Sequence, residues 1–302
     1  MSTTKLQDLP LAQAIAYYVA LRRQLGFAFV REGEHLMALG RYARAQKHRG
    51  ALTADLVVRW ARSSPAASPR HQSRRFEIAR RFAQFWVAVN PATEVPPAGW
   101  LGPSGPQRQA NLYRPEQILE LLAAARQLSG SPWRALAYYT LFGLLACTGL
   151  RISEALQLQH QDVDWAQRQL TIRHTKAGQA RCLVLHASTW TALRRYDRQR
   201  PQAHPFGPFF SNVAGAPLSY CAVWEVFTGL QRQLGWPPPK RRLHDLRHTF
   251  VVNSLLIGYR QGRNVDHNLL ALSAYVGHAT PQNTYWYLSA IPELLALVRA
   301  RW

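Results

Sequence analysis

Residues 148–158 read TGLRISEALQL, and they follow an apolar stretch, Ala135–Leu150, that contains no charged residue. A membrane-spanning helix needs about 20 apolar residues, so this shorter stretch predicts a helix buried in a protein core. Thr148-Gly149 then predicts a turn, and Arg151 predicts the start of a new helix. Glu154 lies three residues further on, on the same helical face. It is predicted either to orient a cationic cluster or simply to pair with Arg151.

Two further motifs lie near the end of the chain. The sequence HDLRHTF occupies residues 244–250 and places His244 and Arg247 on one side of a helix. The sequence VGH ends at His278, nine residues before Tyr287. Each motif alone is a weak signal, because histidines and arginines are common. Their spacing and order make them candidates for one site.

Residues 163–187 differ from their helical surroundings. The segments DVDW, QLTIRHTK and RCLVLH predict short strands, and Ala177-Gly178-Gln179 predicts a tight turn between the last two. Lys176 lies at the edge of this hairpin. Only four of the 37 basic residues are lysines, so a lysine at this position is unusual for the chain. A surface lysine is the alternative interpretation.

These residue types fit the attack of a hydroxyl group on a phosphodiester. Negative charge develops on the non-bridging oxygens, and the planar forks of Arg151 and Arg247 can bind it. Lys176 can donate a proton to the leaving oxygen, which an arginine cannot do. His244 and His278 can bond the phosphate oxygens or take up the proton of the nucleophile.

Two tyrosines, Tyr285 and Tyr287, are candidates for the nucleophile. Two positions along a helix correspond to roughly 200° of rotation, so both cannot enter one site. We predict Tyr287, nine residues after His278. Tyr275 is predicted to belong to the core, and His248 to have a structural role.

In this order, the motifs TGLRISEALQL, HTK, HDLRHTF and VGH with its later tyrosine resemble those of the tyrosine recombinase (phage integrase) family. The resemblance implies a site-specific DNA recombinase in which Tyr287 forms a 3′-phosphotyrosine bond and releases a 5′ hydroxyl. It implies that no metal ion or other cofactor takes part, and that Glu154 fills the acidic position of the family. The implied activating residues are Arg151, Lys176, His244, Arg247 and His278.

The net charge of +21 indicates a polyanionic partner, most often nucleic acid. Residues 1–90 predict a compact helical domain, and its helix over 68–89 is strongly basic. Glu77 is the single acid of that helix, so we predict DNA contacts rather than a merely solvated face. The predicted contacts are Arg70, Arg74, Arg75, Arg80 and Arg81.

Residues 91–113 are rich in proline and glycine and predict a linker to a second domain over 114–302. The predicted fold is mainly helical with a small sheet in the second domain. The resemblance implies that the first domain is a core-binding domain, that the second is catalytic, and that together they form a clamp on double-stranded DNA.

The chain has three cysteines, an odd number, and they are widely spaced, which predicts reduced thiols. No signal-peptide pattern is found. We therefore predict a cytoplasmic, nucleoid-associated bacterial protein with no membrane partner. Recombination of two duplexes implies a homotetramer on synapsed DNA, with or without partner recombinases. The long segment before His278 and the sequence NTYWYLSA resemble transposase-like recombinases of mobile elements. Two alternatives remain open, a type IB topoisomerase and a non-catalytic DNA-binding regulator.

Overall fold

The computed structural model describes residues 6–64, 68–102, 111–173, 180–200, 206–238 and 241–278. The chain divides into two compact units, Met1–Arg108 and Gln109–Trp302. Both are built mainly of helices, and the second also contains a three-stranded antiparallel sheet. The predicted fold class is therefore confirmed.

Between residues 11 and 86, the described part of the first unit packs four helices around an apolar core that includes Leu36, Trp60, Phe76 and Phe82. Two of the helices begin at hydroxyl caps, because the side chains of Thr53 and Ser68 accept hydrogen bonds from Leu56 N and His71 N. The helices are α1 (Leu11–Gln24), α2 (Val30–Ala45), α3 (Ala54–Arg62) and α4 (Pro69–Trp86).

The segment predicted to be a linker makes hydrogen bonds at both ends. Near its start, Glu94 N donates to Leu52 O at 2.9 Å, and the Glu94 carboxylate accepts from Ala54 N at 2.7 Å. At its far end, Tyr113 N donates to Thr249 Oγ1 at 2.9 Å. The division between the two units falls after Arg108.

The second unit is organised around one long buried helix. Its described elements are α5 (Pro115–Arg126), α6 (Pro132–Thr148), α7 (Ile152–Leu156), a 3₁₀ turn (His160–Asp162), β1 (Val163–Asp164), β2 (Gln169–Ile172), β3 (Arg181–Val184), α8 (Ala187–Arg198), α9 (Tyr220–Gln233), α10 (Leu243–Arg260) and α11 (Val265–Val276). Helix α6 is the predicted core helix, with Leu141 and Phe142 fully buried. None of the helices in the described ranges has the length and apolar character needed to cross a membrane.

The sheet holds the hairpin that was predicted from sequence. Its order is β1-β2-β3, and Ile172 pairs with Arg181 in the last pair of the β2–β3 ladder before the connection between the two strands. Lys176 belongs to the connection between these strands and lies outside the described residues. Tyr275 packs against this sheet, since its hydroxyl donates to Val184 O at 3.3 Å and its ring stacks on Phe250. It is partly buried between two core clusters, as predicted.

Candidate active site

Two glycines at helix ends bring the site together. Gly149 ends α6 and Gly277 ends α11, both with left-handed backbone, at φ 63° and 69°. Such a residue turns the chain sharply out of the helix and is usually glycine. A Cβ atom at Gly149 would lie 2.5 Å from the Phe250 ring, so space also demands glycine. The turns deliver Arg151 and His278 immediately after the two helix ends.

Arg247 is the centre of the cluster. It projects from α10 and is only 2% exposed. Its Nη1 donates to Gly149 O and its Nη2 to Val276 O, both at 2.7 Å. A buried guanidinium needs such partners, because desolvation of an unpaired charge costs several kcal/mol. Arg247 therefore joins the ends of α6 and α11.

Arg151 stands at the start of α7 and reaches toward the same place. Its Nη1 contacts Glu154 Oε1 at 2.8 Å, and its Nη2 donates to Gly277 O at 3.0 Å. A guanidinium carries five N–H donors, so three donors of Arg151 have no partner in the part of the chain that the structure describes. The side chain is 22% exposed. These three donors of Arg151 can therefore bind an anion that approaches from solvent.

Glu154 pairs with more than Arg151. Arg181, the first residue of β3, donates from Nη1 to Glu154 Oε1 at 3.1 Å and from Nη2 to Oε2 at 2.8 Å. Burial would raise the pKa of the Glu154 carboxyl, but the hydrogen bonds from Arg181 and Arg151 outweigh it and hold the pKa below its usual value. Of the two interpretations offered by the sequence, the carboxylate combines both, because it pairs with Arg151 and also binds a second cation.

Sequence reasoning missed Arg181. Its only signal was a charged residue at the start of a short strand, and one arginine among so many carries little information. It also missed the role of Asp245 inside HDLRHTF. That side chain is fully buried and accepts hydrogen bonds from Arg242 N at 2.8 Å and Arg242 Nη2 at 2.7 Å. Asp245 thereby holds the first turn of α10, from which His244 projects.

Three histidines border the arginines. The rings of His244 and His248 lie 4.7 Å apart, edge to face. Burial of part of the His244 ring, together with His248 and Arg247, lowers its pKa to about 4, although the residue keeps contact with solvent. Burial lowers the pKa of His248 to about 4 as well. Burial, Arg247 and Arg151 lower the pKa of His278 to about 3.

The charges of the cluster follow from these pKa values. At neutral pH the three imidazoles are neutral, so the positive charge belongs to the guanidinium groups. Arg151 and Arg181 pair with Glu154, whereas Arg247 binds backbone carbonyls. Asp245 is paired with Arg242, so these three arginines and Glu154 carry an excess of two positive charges. This positive charge can attract a phosphate group electrostatically, and the neutral imidazoles can donate hydrogen bonds to its oxygens.

The structure brings together Arg151, Glu154, His244, Arg247 and His278 from the predicted set. Lys176, Tyr285 and Tyr287 lie outside the described residues, so their positions relative to this cluster stay predictions.

The arginines of α4 do not share one environment. Arg70, Arg74 and Arg81 are exposed. Arg75 is 8% exposed and packs over the Trp60 ring, with its guanidinium carbon 4.3 Å from the ring centre. Arg80 donates to Pro96 O at 3.1 Å and lies 3.7 Å from Glu77. The predicted DNA-contact surface has to be corrected at Arg75, because this side chain is buried within its own unit.

Sequence comparisons agree with the predicted resemblance. The family model for the phage integrase family matches residues 112–292. The putative integrase/recombinase y4rB of Sinorhizobium fredii (strain NBRC 101917 / NGR234) is 36% identical over 299 residues, which cover 94% of this chain and 94% of that protein. The tyrosine recombinase XerC of Rhizobium meliloti (strain 1021) is 27% identical and covers 61% of this chain and 55% of its own length.

The fold also resembles solved structures. The Tn1549 transposon integrase in complex with transposon right end DNA has a TM-score of 0.72 at 16% identity, covering 97% of this chain and 98% of that chain. The XerH recombinase bound to palindromic difH substrate has a TM-score of 0.66 at 15% identity, covering 89% and 78%.

The chain belongs to the phage integrase family, the tyrosine recombinases. The predicted family is confirmed, and with it the class of enzyme, a site-specific recombinase.

Proposed function

We propose that the cluster around Arg247 binds the scissile phosphate of double-stranded DNA and that Tyr287 is the nucleophile. The Tyr287 oxygen attacks phosphorus, a tyrosine–phosphate bond forms, and the bond from phosphorus to the 5′ oxygen breaks. The phenol proton passes to a neutral imidazole of the cluster, and Lys176 gives a proton to the leaving 5′ oxygen. The covalent bond preserves the energy needed for a partner strand to reseal the DNA.

One observation carries this proposal. Arg151 is partly exposed, and three of its donors have no partner among the described residues. It lies in the same cluster as Arg247, which binds two backbone carbonyls, and as the neutral imidazoles. Such an arrangement is preorganised for negative charge that develops during reaction. An approaching phosphate also offsets the guanidinium charges that depress the imidazole pKa values, so the imidazoles become better proton acceptors as substrate binds.

The remaining parts of the proposal concern assembly and biological role. We place DNA contacts on the exposed arginines of α4 and a DNA-binding role on the unit over residues 1–108. We propose a tetramer on two synapsed duplexes, because recombination of two duplexes cuts four strands and each subunit supplies one tyrosine. The relatives named as integrases and as a transposon integrase support a role in the movement of a mobile element. A nucleoid location follows from DNA binding.

Replacement of Tyr287 by Phe should abolish covalent attachment to DNA and leave binding within about twofold, since only one hydroxyl is lost. The assay uses nicked duplexes that carry inverted repeats from the DNA flanking the gene, with EDTA present throughout. Covalent product is separated on denaturing gels, and binding is measured by fluorescence anisotropy.

Tyr285→Phe is the matched control and should still form the covalent product. If Tyr285→Phe loses the product and Tyr287→Phe retains it, the nucleophile is Tyr285. If both retain it, the phosphotyrosine mechanism is wrong. Joining of two different duplexes by the wild type separates a recombinase from a topoisomerase, which would only relax a single supercoiled DNA.

A further inference from the structure

Within the described residues, Arg181 is the arginine of the cluster whose two Nη atoms both bind a carboxylate. Both Nη atoms bind the Glu154 carboxylate, and Nε donates to Tyr275 O at 3.0 Å. Its side chain is 12% exposed. The planar fork is therefore already occupied by a carboxylate, which is the geometry that a phosphate would otherwise take.

The hydrogen bond from Arg181 to Tyr275 O is one of three similar hydrogen bonds at the end of α11. Tyr275 O accepts from Arg181, Val276 O from Arg247, and Gly277 O from Arg151. The last carbonyls of a helix lack partners within the helix and carry partial negative charge. Three consecutive carbonyls thus each receive one guanidinium, and His278 follows directly.

Glu154 closes this arrangement from the other side. Its side chain is 1% exposed, and its two oxygens accept from Arg151 N, Arg151 Nη1 and both Nη atoms of Arg181. Without Arg181 the buried carboxylate would lose its bidentate partner and keep Arg151 alone. Glu154 would then draw Arg151 toward itself, away from an incoming phosphate.

We propose that Arg181 is a positioning residue, which holds Glu154 and the end of α11 so that Arg151 and His278 face the phosphate in a fixed geometry. This inference rests on the proposed function. Arg181 touches no reacting atom and acts through Glu154. It also lies five residues after Lys176, so a second route, through the hairpin that carries Lys176, has to be distinguished by experiment.

The test measures the single-turnover rate of covalent product formation by Arg181→Met and Arg181→Lys on the trapping duplexes. A catalytic group misplaced by about 1 Å can cost about 100-fold in rate. We expect a loss of this order for Arg181→Met and a smaller loss for Arg181→Lys, which keeps the charge and loses the fork. DNA affinity should change less than about threefold, because Glu154 already occupies both Nη atoms of Arg181.

Arg173→Met is the matched control. Arg173 flanks the same hairpin from the β2 side and pairs with Asp162, a buried acid. Among the described residues it has no recorded contact with the cluster. It should form covalent product within about threefold of the wild-type rate. Equal losses in Arg173→Met and Arg181→Met would mean that any damage to the hairpin slows cleavage, and would overturn the inference.

Two further readouts separate positioning through Glu154 from a general structural effect. On DNA with sulfur in place of the leaving 5′ oxygen, Lys176→Ala should recover, since a thiolate leaves without a proton, whereas Arg181→Met should stay slow. In a Glu154→Gln background, Arg181→Met should cost much less than in the wild type, because the partner is already impaired.

Recovery of Arg181→Met on the sulfur substrate would assign it to the Lys176 route, and full additivity with Glu154→Gln would remove Glu154 from the pathway. Either result overturns the proposal. If Arg181→Met fails to fold, as judged by thermal melting, the Arg181→Lys and Glu154→Gln variants and their double mutant provide the same cycle. Wild-type protein that forms no covalent product would instead contradict the proposed function.

Discussion

At the level of single residues, the arginines carry the positive charge of the cluster, and other residue types transfer the protons. The guanidinium groups stay protonated at any physiological pH. The imidazoles of His244, His248 and His278 have pKa values of about 4, 4 and 3, so they are neutral at pH 7. A residue that must change protonation during catalysis is therefore a neutral imidazole, a lysine or a tyrosine.

The lowered imidazole pKa values predict how stability depends on pH. An unfolded histidine titrates near 6.5. Below that pH, these three histidines bind protons in the unfolded chain but stay neutral in the folded chain. The free energy of unfolding should be highest above pH 6.5 and fall as the pH drops toward 4. His278→Gln should reduce this fall by up to about 1 kcal/mol per pH unit, less than the ideal value because the ring is only half-buried.

Urea unfolding at half-unit intervals between pH 8 and pH 4.5 measures this dependence. The variant and the wild type should differ little in slope above pH 7 and progressively below pH 6.5. Parallel curves over the whole range would show that His278 is not held in its neutral form.

At the level of elements, the site is an assembly of helix ends. Helices α6 and α11 both end in left-handed glycines whose carbonyls accept from arginines. Helix α10 begins at a turn held by Asp245, and α7 begins at Arg151. Helix ends expose unpaired backbone groups, so they suit a site that needs many fixed hydrogen bonds.

Gly277→Ala tests this element-level arrangement. Its φ of 69° strains any other residue, and a Cβ atom there would lie 2.6 Å from Arg181 Nη1. We expect about 1–2 kcal/mol of destabilisation and a loss of cleavage rate comparable to that of Arg181→Met. Thermal melting and the covalent-trapping assay measure the two effects.

Gly235→Ala provides the control, because Gly235 also has left-handed backbone, at φ 61°, but no atom of the described residues lies within 4 Å of the added Cβ. It should lose stability through strain alone and cleave at nearly the wild-type rate. A similar rate for both variants would show that the contact between Gly277 and Arg181 is irrelevant to catalysis.

At the level of the whole molecule, the net charge of +21 governs association with DNA. Each phosphate that the protein neutralises contributes about 0.9 to the slope of log affinity against log salt. The burial of Arg75 shows that the sum of the charges does not identify the contacts. Exposed arginines of α4 are the better candidates.

Replacing Arg70, Arg74 and Arg81 together by Ala should therefore flatten the salt dependence of DNA affinity by about one to three units. Fluorescence anisotropy over a range of potassium chloride concentrations gives the slope. The control replaces three exposed arginines of α8 in the second unit, Arg194, Arg195 and Arg198, and removes the same charge. Equal changes in both proteins would mean that the slope follows net charge and not the surface of α4.

The sequence by itself determined the family, the helical character of both units and five members of the cluster. Motif order and helical spacing carry that information, because residues three apart on a helix share a face whatever the rest of the chain does. The buried helix α6 was equally predictable, since an apolar stretch of that length is stable in water only when it is removed from solvent.

Only the tertiary structure decided which groups complete the site. Arg181 lies 27 residues from Glu154 and 94 from Tyr275, and Arg151 lies 126 residues from Gly277. Most of these contacts are made to backbone carbonyls, which every residue possesses, so no side-chain pattern marks them. The same holds for Arg75, whose position in α4 matches that of an exposed arginine until its packing over Trp60 is known. Long-range packing, and not local spacing, selects the few arginines that build the site.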